Sequence, residues 1–455
     1  MAISRRGFFE ALASVGALTA TAPWLPVSAQ AVAVWRNWSG AQSALPAAQL
    51  APGSESELAA LIAGTRQTVR PVGSAHSFSA LVPTRGMIVS LARLQGLISH
   101  DAARLQAEFW GGTHMSTMGP VLHEIGQAQV NMADIDYQTL AGAIATSTHG
   151  TGKRFGSYSS TVTGLRLITA QGEILDCDAD NQPELFKAAC CSLGALGVIS
   201  RIRLQNRKPF RLHSKTWVAE TESLLENLDH LATANAHFEL LPLAHSDKSL
   251  AIAHNETYLE PSPKQEAESD AELAQMMDAL YRHLRHMPKL RSQIINFVAG
   301  RLSFEEEIDD SWKVFANQRD VRFNEMEYSV PAEDGPACLR EILKTIADNN
   351  LPSWFPLEYR LVKADDVPLS MFYKRDSAAI SVHQYHELDY HNFFAAIEPI
   401  FWKYGGRPHW GKLHRLNARQ LSGLYPEWDR FNSIRKTLDP QGKFLNDHLR
   451  GVFGA

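Results

Sequence analysis

An α+β architecture is expected from three features of the chain. Its 455 residues exceed what one domain of roughly 100 to 200 residues holds, so two or three domains are expected. Short β-like runs rich in glycine, at residues 87–91, 164–170 and 197–202, alternate with short helical stretches to about residue 207. Beyond that point the pattern changes to long amphipathic helices, where Leu273, Met276, Met277, Leu280, Leu284 and Met287 recur at three- and four-residue steps, and strands return at 355–364 and 378–386. The shift in pattern places a boundary at about residue 207.

Composition removes several classes. With 45% hydrophobic and 20% charged residues, disordered, collagenous and coiled-coil chains are excluded. A net charge of -5 gives no basic footprint for nucleic acid.

The first 30 residues read as an export signal. Arg5-Arg6 precede an uncharged run, residues 11–30, that ends in small residues near Ser28 and Ala29. Ser14, Thr19, Thr21, Pro23 and Pro26 dilute the run too far for a good spanning helix, so a twin-arginine signal is read and no membrane span is expected in the mature chain. A periplasmic or secreted protein follows, with the twin-arginine translocase as its export partner. That route carries folded proteins, which points to a cofactor loaded in the cytoplasm.

Familiar site motifs are missing. Cys177, Cys190, Cys191 and Cys338 show no CxxC spacing, and Cys177 with Cys190 or Cys191 is the local candidate for a bridge. No GxGxxG follows a strand, and Gly152-Lys153 has Ser147 and Arg154 where a phosphate loop needs Gly and Ser or Thr. His383, His386 and His391 crowd together, but strand alternation separates the first two, so no metal site is expected. The acidic stretch 260–272 reads as a surface loop entering a helix.

Two small-residue runs carry the chemistry. Arg70-Pro71-Val72-Gly73-Ser74-Ala75-His76-Ser77-Phe78-Ser79 offers amides and hydroxyls that suit a pyrophosphate nest. A second run, 140–152, contains Gly142, Thr146, Ser147, Thr148 and His149, and lets a ligand approach the backbone closely. Without a Rossmann motif, this pair resembles the PCMH-type FAD-binding domain of the vanillyl-alcohol oxidase family. Five further elements resemble the sugar-lactone and alditol oxidases of that family: Trp35-Arg36-Asn37-Trp38, the loop 192–199, Glu358-Tyr359-Arg360, His409-Trp410-Gly411-Lys412 and the closing motif 439–446. All seven stand in family order.

The resemblance implies a two-subdomain FAD domain over 31–207, an α+β cap over 208–405 and a C-terminal segment over 406–455 returning to the flavin. It implies FAD bonded covalently through His76. Cofactor contacts would come from Gly73, Ser74, Ala75, His76, Ser77, Ser79, Ala133, Asp134, Thr139, Gly142, Thr146, Ser147, Thr148, His149, Val198, Ile199 and Lys412. Glu358, Arg360, His383 and Lys412 would be catalytic, and Asp134, Glu358, Arg360, Tyr385 and Lys412 would meet the substrate. Spacing adds an independent check, since Glu358 and Arg360 share a face of any strand that holds both, as do Trp410, Lys412 and His414 if extended. Ala133 falls where residue size gates oxygen. Asp134 and Tyr385 depart from the smaller residues expected, and a carboxylate at 134 favours a neutral polyol or sugar over an acid.

The implied reaction is oxidation of a CH–OH group of a polyol, sugar or aldonolactone by hydride transfer to flavin N5, with O2 as acceptor. His383 is the best candidate to take the hydroxyl proton. The alternatives are a dehydrogenase of the same fold that reduces a cytochrome or quinone, and a flavoenzyme acting on a phenol or hydroxy acid. A non-enzymatic binding protein would purify colourless. Exchanging Arg5 and Arg6 together for Lys is expected to hold the flavin-loaded protein in the cytoplasm; an unchanged periplasmic yield in cell fractionation would refute the export reading.

Overall fold

The computed structural model describes residues 33–263, 284, 286–301, 304–316, 322–353 and 355–455. Among these, most strands fall into three sheets. Ala48–Leu50, Met87–Ser90 and Val69–Val72 form a small parallel sheet in that spatial order. The central strand is buried along its length, which its unbroken apolar run Met87-Ile88-Val89 requires. Helix Glu55–Gly64 starts at Ser54, whose hydroxyl accepts the Glu57 amide, and buries Leu58 and Ile62 in the core of this sheet. Beside it lies an antiparallel sheet ordered Leu97–Asp101, Gln106–Trp110, Val198–Gln205, Val162–Ile168, Ile174–Asp178.

The third sheet has eight strands, all antiparallel: Glu305–Asp310, Arg211–Glu220, Lys248–Thr257, His237–Pro242, Glu358–Val362, Ser377–Tyr385, Phe323–Pro331 and Arg407–Pro408. Its two faces have different chemistry. Met326, Tyr328 and Val330 lie opposite Val382, Ile380 and Ala378 in register, and this face meets helices Gly335–Asp348 and His391–Lys403. The first of these helices buries Cys338, Leu339, Ile342 and Ile346, a stripe at helical spacing. Tyr328 stacks on Phe401 and its hydroxyl donates to Glu398 at 2.7 Å. The opposite face carries Glu325, Glu327, Ser381, His383, Glu358, Arg360 and Glu239.

The α+β class is the one expected, but the region beyond residue 207 is richer in strands than its sequence suggested. Phe323–Pro331 alternates polar and apolar residues, the pattern of a half-exposed strand, yet it is buried on both faces because its polar side meets another layer. Of the apolar stripe 273–287, only Leu284 and Met287 lie within the described residues, as do only residues 260–263 of the acidic stretch. The export segment lies outside them. Among the described residues, no helix is long and apolar enough to cross a membrane. All four cysteines are buried free thiols, so no bridge joins Cys177 to Cys190 or Cys191.

One buried side chain ties three distant segments together. Arg70 donates from Nε to the Leu81 carbonyl at 2.7 Å, from Nη2 to Leu193 at 2.7 Å, and from Nη1 to Gly194 at 3.1 Å and to Phe444. Burial pushes its guanidinium down to about 9, so it remains a cation at neutral pH, satisfied by carbonyl dipoles. The first small-residue loop, the 192–199 loop and the closing motif 439–446 therefore share one anchor.

Candidate active site

The small-residue loops meet each other before they meet the large sheet. Gly73 ends the turn after Val69–Val72, and a Cβ there would fall 2.1 Å from Thr139 Oγ1. Thr139 in turn caps helix Leu140–Ala145, its hydroxyl accepting the Gly142 amide. Ser74 donates to the Tyr137 carbonyl at 2.5 Å and Ser79 to the Trp410 carbonyl at 2.6 Å. A Cβ on Gly150 would sit 2.1 Å from the Met132 carbonyl, so Ala133 and Asp134 are drawn against the second loop. Thr146 ends that helix, Ser147 meets Ser159 at 3.2 Å and Thr148 donates to Gln138 at 3.1 Å. Val198 and Ile199 open a central strand and are buried, below the 192–199 loop.

These loops fit FAD on three observations. Ala75, Ser147 and Leu193 each adopt a positive φ, 57°, 53° and 55°, which costs a residue with a Cβ about 1 kcal/mol or more and turns successive amides into a concave donor set. Among the described residues, the amides of residues 73–77 donate to no backbone carbonyl, which leaves them for an anion. His76 lies against Trp38 at 4.7 Å between ring centroids, and its buried Nε2 has no hydrogen-bond partner among the described residues. Burial and then the charge of Lys412 push this imidazole down to about 3, so it is neutral and keeps a nitrogen lone pair.

Facing the loops is the polar side of the large sheet, where strand register explains the contacts. Glu239 pairs with Arg360, Glu358 with Ser381, and Glu325 with His383 across adjacent strands. Arg360 is buried among three carboxylates: Glu239 at 2.8 Å, Glu358 at 3.0 Å and Asp134 at 4.0 Å. Burial alone would lower its proton affinity, but Glu358, Glu239 and Asp134 together hold it well above the ordinary arginine range. Next in line, Ser381 donates to Glu358 at 3.2 Å, and His383 Nε2 stands 3.5 Å from both Ser381 and Glu325. Lys412 Nζ closes the row on Glu325 at 2.5 Å, above the ring of Phe78.

A second buried acid stands two residues along the same strand. Glu327 meets His149 Nε2 at 2.7 Å, while His149 Nδ1 faces the Gly150 carbonyl at 2.9 Å. A carbonyl accepts only, so the ring meets Gly150 through an Nδ1 hydrogen and turns Nε2 to Glu327. His409 takes the Gly411 amide on Nδ1 at 3.0 Å and so keeps its proton on Nε2. These three buried side chains cluster closely.

One reading of the sequence needs correction. Trp410, Lys412 and His414 do not line one extended face, because a turn bends the chain there, with Lys412 N donating to the His409 carbonyl at 2.9 Å. Only Lys412 reaches the charged row; Trp410 is core, stacked on Tyr425 at 5.0 Å, and His414 faces His448. His383 joins the site, whereas His386 lies beyond the strand end and His391 is exposed. Tyr385 ends the same strand, paired with Phe323 and half-buried at the margin. Glu239, Glu325 and Glu327 were missed. The signal for Glu325 and Glu327 was an acid recurring at alternate positions in one strand; Glu239 had none beyond an acid in a strand of mostly apolar residues.

Comparison with known proteins gives this geometry a lineage. A family model described as FAD binding domain matches residues 46–178, and one described as D-arabinono-1,4-lactone oxidase matches residues 202–452. The chain belongs to the D-arabinono-1,4-lactone oxidase family. It is an FAD-dependent oxidoreductase of the aldonolactone oxidase and dehydrogenase type. It is 37% identical to the L-gulono-1,4-lactone dehydrogenase of Mycobacterium tuberculosis, over 92% of this chain and 99% of that one. It is 29% identical to the L-gulonolactone oxidase of Bos taurus, over 92% and 98%. Its fold superposes on cholesterol oxidase from B. sterolicum with a TM-score of 0.79 at 14% identity, covering 95% and 98% of the two chains.

The charged row carries a pH signature. Burial would raise the Glu325 carboxyl, but Lys412 and His383 overcome it and hold it well below the usual value of 4.5. Its contribution to stability is complete above the unfolded value and lost as pH falls through the folded one. Wild type should therefore lose stability between about pH 5 and 3 more steeply than a Glu325→Gln/Lys412→Met double variant. Parallel slopes in chemical denaturation would contradict this.

Proposed function

We propose that this family member oxidises a CH–OH carbon of a neutral aldono-1,4-lactone, with polyols and free sugars as weaker substrates of the same chemistry. The observation that carries the reading is Arg360 held among Asp134, Glu239 and Glu358. One guanidinium against three carboxylates repels an anionic aldonate and offers acceptors to a hydroxyl-rich neutral ring. The relatives named for gulonolactone and arabinonolactone support the lactone class.

FAD, held by the loops at 73–79, 133–149 and 192–199, supplies a two-electron acceptor for the hydrogen on the substrate carbon. The rest of the work belongs to the chain. His383 Nδ1 faces the Pro356 carbonyl at 3.2 Å and so carries its hydrogen there, which leaves Nε2 to accept the hydroxyl proton. Arg360 donates to the substrate oxygen from a position its carboxylate neighbours keep rigid. Lys412 offsets negative charge developing at the cofactor, a preorganised role that needs no reorientation during reaction. Tyr385 shapes the margin of the pocket. Oxygen is the acceptor in this reading, with peroxide as product. The name of the 37% identical relative favours the second reading, transfer to another acceptor. The twin-arginine segment supports a periplasmic or secreted location for the reaction.

Anaerobic mixing of the purified protein with a panel of substrates tests the substrate class. Aldono-1,4-lactones should bleach the flavin faster than alditols, and aldonates should fail at pH 7; fastest bleaching by aldonates or phenols would overturn it. Oxygen uptake with peroxide formation, against reduction of a cytochrome, separates the two acceptors.

His76 is proposed to carry the flavin covalently, supported by its neutral ring and its buried, unpartnered Nε2. Acid precipitation should give a yellow pellet for wild type and release flavin from His76→Ala. A colourless wild-type pellet would end the idea.

A further inference from the structure

Glu325 has no role in the reaction as described, yet it is the group that joins two residues that do. Only 2% of it is exposed. Its Oε2 lies 2.5 Å from Lys412 Nζ and its Oε1 3.5 Å from His383 Nε2, while its backbone carbonyl accepts the Leu413 amide at 2.9 Å. Strand pairing brings His383 directly opposite, and the turn at Trp410 delivers Lys412 from the other side. We propose that Glu325 is a positioning residue of the oxidation, holding the Lys412 ammonium in place and setting how tightly His383 Nε2 keeps the proton it receives.

A half-buried ammonium is held by a buried carboxylate, and Glu325 anchors it without using the side chains that face the substrate. Proton transfer breaks the substrate O–H bond and makes an imidazolium at His383, while the hydrogen on carbon leaves with its electron pair to the FAD named above. That imidazolium forms 3.5 Å from the Glu325 carboxylate. An opposite charge at this range favours the protonated form. Among the described residues, the other charged groups facing His383 are Glu358, whose carboxylate lies within 4.8 Å and also meets Ser381, and Lys412, through Glu325 itself. Lys412 opposes protonation, so the carboxylate also screens the base from the ammonium. Phe323 and Phe355 cover the ring edge-on and keep water from diluting these effects.

The inference rests on the function proposed above, so its test has a readout independent of turnover. Full-length flavin-loaded protein labelled with 15N-histidine is titrated without substrate, the His383 signals being those lost in His383→Gln. Glu325→Gln should lower the protonation midpoint of His383 by about 1 pH unit, equivalent to about tenfold weaker proton binding. The acid limb of anaerobic flavin reduction by lactone should move down by the same amount, and Glu325→Asp should restore much of both. If Glu325→Gln does not fold, Glu325→Gln/Lys412→Met removes both charges of the pair and should still lower the midpoint, by less. A midpoint unchanged in whichever variant folds, with reduction slowed all the same, would return Glu325 to a packing role. If wild type oxidises no lactone, the proposed substrate fails while the titration still decides the coupling.

Discussion

Two carboxylates buried on one face of one strand set the terms for the rest of this molecule. Glu325 and Glu327 both point away from the helices that cover the other face of the large sheet, into a layer with little water. An isolated buried carboxylate costs several kcal/mol, so each needs a cation or a shared proton. The partners come from far along the chain: Lys412 and His383 for Glu325, His149 for Glu327. Satisfying this one strand therefore pulls the second small-residue loop and the C-terminal segment onto the sheet. The same constraint that closes the interface assembles the reactive groups.

What the loops contribute is shape. Arg70 holds three of them by their carbonyls, and close approach at Gly73 and Gly150 leaves no room for a Cβ. Strain at Ala75, Ser147 and Leu193 is retained because these surroundings over-determine the backbone there. A rigid anion-binding surface then stands opposite a row of paired charges. In the proposed function, cofactor binding falls to the loops and stabilisation of the transition state to the charged face of the sheet.

Much of the loop wall was legible in the sequence, since small residues, hydroxyls and His76 must be local to one another to form a nest. Glu358 and Arg360 were legible too, because a two-residue step survives any strand assignment. The acids of the opposite wall were not. Glu239, Glu325 and Glu327 matter through partners 58 or more positions away, and nothing local separates such an acid from one that faces solvent. The strands that carry them hid for a related reason, as their alternation reads as half-exposed until the layer that covers the polar face is known. Lys412 was recognised by its motif, but the turn that aims it was mistaken for an extended run.

The central claim is that charges fixed by the fold, rather than the cofactor alone, lower the barrier to oxidation. Lys412→Met tests it most directly, because methionine keeps much of the side-chain length while deleting the charge. Stopped-flow reduction of the bound flavin by the fastest lactone, without oxygen, isolates the step. A fall of about a hundredfold to a thousandfold with flavin fully retained is the result expected for loss of one preorganised charged donor. A rate within a few fold of wild type would show that the ammonium serves only to neutralise Glu325, and the account would fail at its centre.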